Sequence, residues 1–347
     1  WFILGVIALT TSQYSDLAVT EFRTIFFQPV IFYLLLRRLP ADANRPIRFL
    51  MMLVLAGVAV SLIGLAQFLI GSSIITAEGG TPRLASVYGS PNNVALLLGR
   101  CIPFVFVALI LLKDKSYRIV AASMFSMFVL TLLLSQSVGA LFLGVPASLL
   151  TIIIIHYRRK AIVPITVAVI LGIALVFMAF QLPRFANLLD FSSGTNFYRL
   201  RVWDSSITMI LDNPITGIGL DQFLYKLRGT YLLPDAWQEP NLSHPHNIIL
   251  DFWLRLGIAG CIWMIFTIIH LLRGFSQYYH TLNTAVDVRG SLVALSGIGM
   301  VINLVVHGLV DNSVFVMDLS YIFMLLLWLS VFTQNTSAID EPRSKVL

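Results

Sequence analysis

Charge is scarce in this sequence. Asp, Glu, Lys and Arg together make 12% of the 347 residues, while 58% are hydrophobic. An ordinary soluble domain carries about 25% charged residues. So little charge excludes a soluble globule, a disordered tail and a nucleic-acid-binding domain. Acidic groups are the rarer sign, 17 against 23 basic, for a net charge of +6. Cysteine is nearly absent. Cys101 and Cys261 both sit in apolar runs, which excludes a disulfide framework and a CxxC metal knuckle. The 22 Gly and 14 Pro show no period, which excludes a fibre. There is no repeat of about 20–50 residues and no low-complexity tract. A signal peptide is missing too: the chain opens at Trp1, inside an apolar run, and reads as a chain without its first helices.

Long apolar runs are what the sequence does have. A membrane span needs about 20 mostly apolar residues. Candidates fall at 22–38, 48–70, 91–112, 117–134, 138–156, 161–181, 247–272, 290–310 and 314–333, with 1–10 as a partial one. The expected fold is all-α, a polytopic helix bundle of about nine full spans and a stump. The expected segments are 1–181 (N-terminal membrane helices), 182–246 (a large extracytoplasmic loop), 247–333 (three C-terminal spans) and 334–347 (a cytoplasmic tail). Alternate loops divide the basic residues 14 to 7. The richer side, which includes Arg37, Arg38, Lys113, Arg158, Arg159, Arg343 and Lys345, is the cytoplasmic one by the positive-inside rule. Loop 182–246, with Arg184, then lies outside.

Within that loop, residues 198–211 have a helical period. Leu200, Trp203, Ile207, Ile210 and Leu211 share one face, and Asp212-Asn213-Pro214 ends the helix. At about 100° per residue, Arg199 lies about 40° from Trp203 and Arg201 about 160° from it. Two roles fit Arg199: an arginine snorkelling at the interface, or a guanidinium aimed at phosphate. Ser243-His244-Pro245-His246-Asn247 follows, just before a span. Pro245 suits a first helical turn, whose free N–H groups favour an anion. His246 there is either a general base or an interfacial helix cap. Two histidines at i, i+2 without a third ligand make a poor metal site, so no metal and no cofactor is expected.

Ionisable groups inside spans are functional candidates because burying them is costly. Asn247, Asp251 and Arg255 form one stripe, whose Asp251–Arg255 pair reads as structural. Asn303, His307 and Asp311 form another. Arg100 lies about 14 Å into its span, with Asp251 or Asp311 as candidate partners. Ser90 caps the same span ahead of Pro91, and Arg83 lies in the loop before it. A cationic outer cluster of Arg83, Arg199, His246 and His307 with Asp311 suits an anionic, lipid-linked substrate.

These residues resemble the O-antigen ligase and O-antigen polymerase superfamily. The likeness runs from Glu21-Phe22-Arg23 to Trp328. It includes Arg83…Tyr88-Gly89-Ser90-Pro91-Asn92-Asn93, Arg199…Trp203 and Asn213-Pro214-Ile215-Thr216-Gly217-Ile218-Gly219. It continues through Ser243-His244-Pro245-His246-Asn247 and Leu256-Gly257-Ile258-Ala259-Gly260 to His307-Gly308-Leu309-Val310-Asp311. The resemblance implies an integral enzyme of the bacterial inner membrane. Its donor would be an undecaprenyl-pyrophosphate-linked glycan, and its acceptor a glycolipid, glycan or protein. It implies metal-independent inverting transfer, with His246 and Arg199 catalytic and Arg83, Arg100, Asn247, His244, His307 and Asp311 binding substrate. One departure stands out: Val138 occupies the place of an arginine that many members carry after Ser135-Gln136-Ser137, so either Arg83 or Arg100 would supply that charge or the activity would differ from that of the typical ligase. The alternative is a transporter or flippase of lipid-linked or anionic cargo. Internal repeats, common in transporters, are absent here.

Overall fold

The structure is a computed structural model and describes residues 1–40, 42–76, 80–179, 181, 192, 194–237, 240–282 and 287–340. It is an all-α membrane bundle. Its one sheet among the described residues is the hairpin of β1 (Ile74–Thr76) and β2 (Pro82–Leu84). Among the described residues, eight helical segments are long and apolar enough to cross a membrane: Ser15–Arg38, Arg45–Leu69, Pro91–Leu111, Lys115–Ser135, Gly139–Val167, Ile248–Thr281, Val288–Gly308 and Met317–Gln334. Nine spans are expected from the sequence. The difference lies at 138–156 and 161–181. There the helices Val145–Tyr157 and Ile162–Ala179 are separated only by one tight turn, Arg158–Ala161. Arg184, Arg343 and Lys345 lie outside the described residues.

The chain divides into two compact units. The first comprises Trp1–Leu36, Met178–Ile268 and Gly308–Met324. In it, α1 (Phe2–Thr11) and α2 (Ser15–Arg38) accompany α8 (Gly194–Asp212), the short α9 (Phe223–Lys226) and the first half of α10 (Ile248–Thr281). Trp1, Phe26, Phe252 and Phe315 form an aromatic core, with Trp1 and Phe26 stacked at 4.4 Å. Arg255 in α10 donates to Asp251 at 2.8 Å and to Glu21 of α2, and lies 4.9 Å over the Phe315 ring. The expected Asp251–Arg255 pair is thus a triad. Its third member explains how α2 can begin before residue 22 and still bury a glutamate.

The helix α10 breaks at Gly257, whose φ of 66° only glycine adopts cheaply. A Cβ there would collide with the Ile215 carbonyl, and one at Gly217 with the carbonyls of Trp253 and Leu254. The segment 213–219 therefore plugs the break. The amides of Ile218 and Gly219 donate to the Leu254 carbonyl at 2.7 and 3.2 Å, Ile258 donates to Ile215, and the Trp253 indole donates to Pro214. Backbone groups freed in a broken span need such partners. Gln222 ties the same segment to the Tyr14 backbone, accepting at 2.8 Å and donating at 3.2 Å. Above it, Val202, Met209 and Ile210 of α8 pack on Ile218, Phe223, Leu227 and Leu254 in a small separate core.

The second unit comprises Arg37–Phe177, Ile269–His307 and Leu325–Leu347. Here α3 (Arg45–Leu69), α4 (Pro91–Leu111), α5 (Lys115–Ser135), α6 (Val145–Tyr157) and α7 (Ile162–Ala179) accompany the hairpin, most of α11 (Val288–Gly308) and the end of α12 (Met317–Asp340). Ser90 caps α4, accepting from the Asn92 amide at 3.3 Å, with Pro91 in the first turn. The most enclosed helices are α4 and α11. The glycines Gly99 and Gly144 let the Asn303 amide approach so closely that a Cβ on either would clash.

Candidate functional site

The site grows from the segment that leads into α10. Asn247 precedes the helix, and its side-chain oxygen accepts from the amides of Ile249 at 3.0 Å and Leu250 at 3.2 Å. The first helical residue is Ile248, so Pro245 lies before the helix rather than in its first turn. The N–H groups expected to hold an anion are taken up by this cap, which changes the picture of Asn247: its oxygen caps the helix and its amide nitrogen donates to the Leu309 carbonyl at 3.1 Å.

Two histidines stand just upstream. His246 has a φ of 51°, a left-handed backbone uncommon for a residue with a side chain. Its Nδ1 lies 3.0 Å from Oδ1 of Asp311. His244 reaches the same oxygen with Nε2 at 3.6 Å, and the two rings are 4.1 Å apart. Asp311 is 4% exposed and also accepts from the Asn312 amide at 2.8 Å. The helix α11 stops at Gly308, so Asp311 is not on the helical stripe expected with Asn303 and His307. It sits on the following turn. Asn312 fixes that turn by accepting from the Phe315 amide at 3.0 Å.

Arg199 enters from α8. Among the described residues it makes no hydrogen bond or ion pair, yet the charge of Asp311 acts on it and its own charge acts on His246. Four residues on, the Trp203 indole donates to the Pro245 carbonyl at 2.9 Å, fastening α8 to the histidine segment. Arg201 is occupied differently. It pairs with Asp235 at 2.8 Å and Asp204 at 3.1 Å, with the Phe197 ring 5.1 Å away. The apolar face expected for α8 is only partly turned to the protein: Ile210 is buried, while Leu200, Ile207 and Leu211 are 39%, 48% and 72% exposed. The buried stripe is Val202, Ser205, Ser206, Met209 and Ile210. The hydroxyls cause the discrepancy. The Ser206 hydroxyl donates to the Val202 carbonyl and that of Ser205 to Tyr231, so both serines bury at low cost.

Burial lowers the His246 imidazole from its ordinary value, and His244 lowers it further; Asp311 opposes both, and Arg199 adds to the lowering. His246 is therefore a neutral ring able to take a proton. Burial pushes the Asp311 carboxyl up, but its contacts with His244 and His246 outweigh that and hold it well below the carboxylate range. Burial lowers Arg199 as well, against the pull of Asp311, and a guanidinium remains charged regardless. An ionised Asp311 accepts the Nδ1 proton of His246 and leaves the Nε2 lone pair outward.

Arg83, Arg100 and His307 belong to the other unit. The Arg83 guanidinium donates to the Ser135 carbonyl at 2.8 Å and to Asn92 at 2.9 Å, next to the left-handed Gln136 that ends α5. Arg100 is 1% exposed and donates to Asn303. The two expected carboxylate partners are engaged elsewhere, Asp251 with Arg255 and Asp311 with the histidines. His307 is fully buried against Gly144.

The sequence offered no third metal ligand beside His244 and His246. The fold supplies one: single ligand atoms of His244, His246 and Asp311 all lie within 4.8 Å of one another. Gln222 and Glu21 drew no functional reading from the sequence, since their partners are 208 and 234 residues away. The Trp203 contact had one signal, its spacing of four from Arg199.

Residues 121–265 match the family model described as O-antigen ligase. The matched stretch holds Arg199, His244, His246 and Asn247, while Arg83, Arg100, His307 and Asp311 lie outside it. No curated protein matches the chain. The match runs from α5 into α10, so this stretch of a multi-pass bundle of membrane-spanning helices is similar to the O-antigen ligase family.

Proposed function

We propose that the chain transfers a glycan from an undecaprenyl-pyrophosphate carrier to an acceptor hydroxyl at the outer face of the bacterial inner membrane, with loop 182–246 outside. The acceptor is a glycolipid, a growing glycan or a protein. The observation that carries this reading is the His246–Asp311 pair with the uncompensated Arg199 within electrostatic reach.

The chemistry is a single displacement, needs no metal and inverts the anomeric centre. The acceptor oxygen attacks the anomeric carbon as the bond from that carbon to the pyrophosphate oxygen breaks. The electron pair leaves on the pyrophosphate. The acceptor proton moves to Nε2 of His246, whose tautomer Asp311 fixes by accepting from Nδ1. Negative charge grows on the leaving group, and Arg199 stabilises it with a bidentate fork that lysine lacks. Arg201 contributes little, because two carboxylates already neutralise it.

The break in α10 is the one feature that favours a transporter, since broken helices line transporter sites. Here the freed groups are bound by residues 215–219 of the same chain, which leaves the Leu254 carbonyl no place for cargo.

The test is donor binding and single-turnover transfer with the full chain in lipid, using the lipid-linked glycan of its source cells. His246→Ala lowers turnover by about 10²–10⁴ and leaves donor affinity nearly unchanged. Arg199→Ala loses most transfer and Arg201→Ala keeps most of it. Loss of donor binding in His246→Ala with turnover spared, or equal loss from both arginine variants, overturns the reading.

A further inference from the structure

Two histidines and one carboxylate meet at the mouth of α10, and they are the atoms a transition metal prefers. Zinc binds imidazole nitrogen and carboxylate oxygen at about 2.0–2.2 Å. Two ligands on one tetrahedral ion are then about 3.3 Å apart. Oδ1 of Asp311 lies 3.0 Å from Nδ1 of His246 and 3.6 Å from Nε2 of His244. The three atoms lie within 4.8 Å of one another, so a small rotation of the rings closes them around one ion. The Asp311 end is already fixed by the Asn312 amide, and the histidine segment by Trp203 through Pro245. Both histidines are partly exposed, with side chains 21% and 19% accessible, so an ion has a way in. Arg199, whose charge acts on His246, opposes binding by like charge.

We propose that His244, His246 and Asp311 form an inhibitory site for a divalent transition metal of the zinc type. This rests on the reading of His246 as the base. A metal can occupy Nδ1 of His246 only if that nitrogen gives up its proton. The proton moves to Nε2 of the same ring, so none need leave the site. Nε2 then carries hydrogen instead of a lone pair, and it can no longer accept the proton of an acceptor hydroxyl. The ion therefore replaces the hydrogen bond that fixes the productive tautomer with a bond that fixes the opposite one. The net charge of the site also rises by two, which draws a pyrophosphate toward the ion and away from Arg199.

The experiment uses the full chain in lipid nanodiscs, titrated with Co²⁺ and read by its visible d–d absorption, with Zn²⁺ as competitor. One ion per chain is expected, and a chelator removes it. Loss of a group that merely supports a ligand already costs about 10–100-fold in affinity, so His244→Ala and Asp311→Asn each weaken binding by about 100-fold or more. Arg199→Gln removes the opposing charge and tightens binding several-fold. Transfer by the zinc-loaded protein falls by the same factor as in His246→Ala, about 10²–10⁴, and chelation restores it. An absent cobalt spectrum, or binding that survives both His244→Ala and Asp311→Asn, overturns the metal site whatever the activity does. Metal held by these residues with transfer undiminished overturns the inhibition, and shows that His246 is not the base. A loss of transfer in His246→Ala, measured without metal, keeps the base reading standing even where the metal site fails.

Discussion

Two clusters of buried carboxylates and cations flank one stretch of α10, and they do opposite things. Inside the span, Arg255 is gripped by Asp251 and Glu21 and covered by the Phe315 ring. At the mouth, Asp311 faces two imidazoles, with Arg199 nearby and unpaired among the described residues. The inner cluster saturates a cation that cannot lose its proton. It holds α10 to α2. The outer cluster joins its carboxylate to a ring that takes and gives protons near neutral pH. Among the described residues it also leaves the Arg199 guanidinium without a hydrogen-bonded carboxylate, free to meet a ligand's charge. Burial and opposite charge alone therefore do not mark a reactive site. The difference lies in whether the carboxylate's partner can change protonation state.

The outer cluster breaks most sharply at Asp311. Asp311→Asn leaves His246 without its fixed tautomer and slows transfer by about 10²–10⁴, while thermal unfolding of the purified protein moves little. A large fall in melting temperature with transfer intact reverses the assignment. The inner cluster responds in the opposite way. Arg255→Met strands two buried carboxylates and lowers stability by about 3–5 kcal/mol. The combined replacement Arg255→Met, Asp251→Leu and Glu21→Leu recovers most of that loss, because apolar side chains of similar size often substitute for a buried ionic group without penalty. Denaturation of the single and triple variants in one detergent decides between them.

The glycine joint links the two clusters, since Gly257 follows Arg255 by two residues. Gly217→Ala drives a Cβ into the carbonyls of Trp253 and Leu254 at a positive φ of 65°. The expected loss is about 1–3 kcal/mol, with transfer falling in step as α8 shifts from the histidine segment. Unaltered transfer at lowered stability shows instead that the joint serves the fold alone. The smallest effect belongs to Trp203→Phe, which removes one hydrogen bond to Pro245 and costs about 0.5–1.5 kcal/mol. It sharpens the comparison by loosening the outer cluster only: turnover drops several-fold while unfolding hardly changes.

The membrane character, the approximate spans and the end of α8 at Asp212 were legible because each depends on local composition or on a proline that halts a helix. The positions of Arg199 and Trp203 on one helical face were legible from their spacing of four. Other readings failed for identifiable reasons. The protein-facing stripe of α8 was not legible, because Ser205 and Ser206 hide among carbonyl partners that hydropathy ignores. The break at Gly257 looked like an uninterrupted apolar run, because the sequence does not reveal that residues 213–219 return to fill it.

The sequence by itself determined that this is a membrane protein of helices, since scarce charge and runs of about 20 apolar residues leave a chain few other ways to satisfy its backbone. It also named the chemically capable groups, His244, His246, Arg199 and Asp311. Only the tertiary structure decided which of them meet. Asp311 stands 65 residues from His246 and touches it because α11 ends at Gly308 and the Asn312 turn brings the carboxylate back. Arg255 finds Glu21 across 234 residues for the same kind of reason. Hydrogen bonds and ion pairs act over a few ångströms, and such distances between remote residues exist only once the helices have packed.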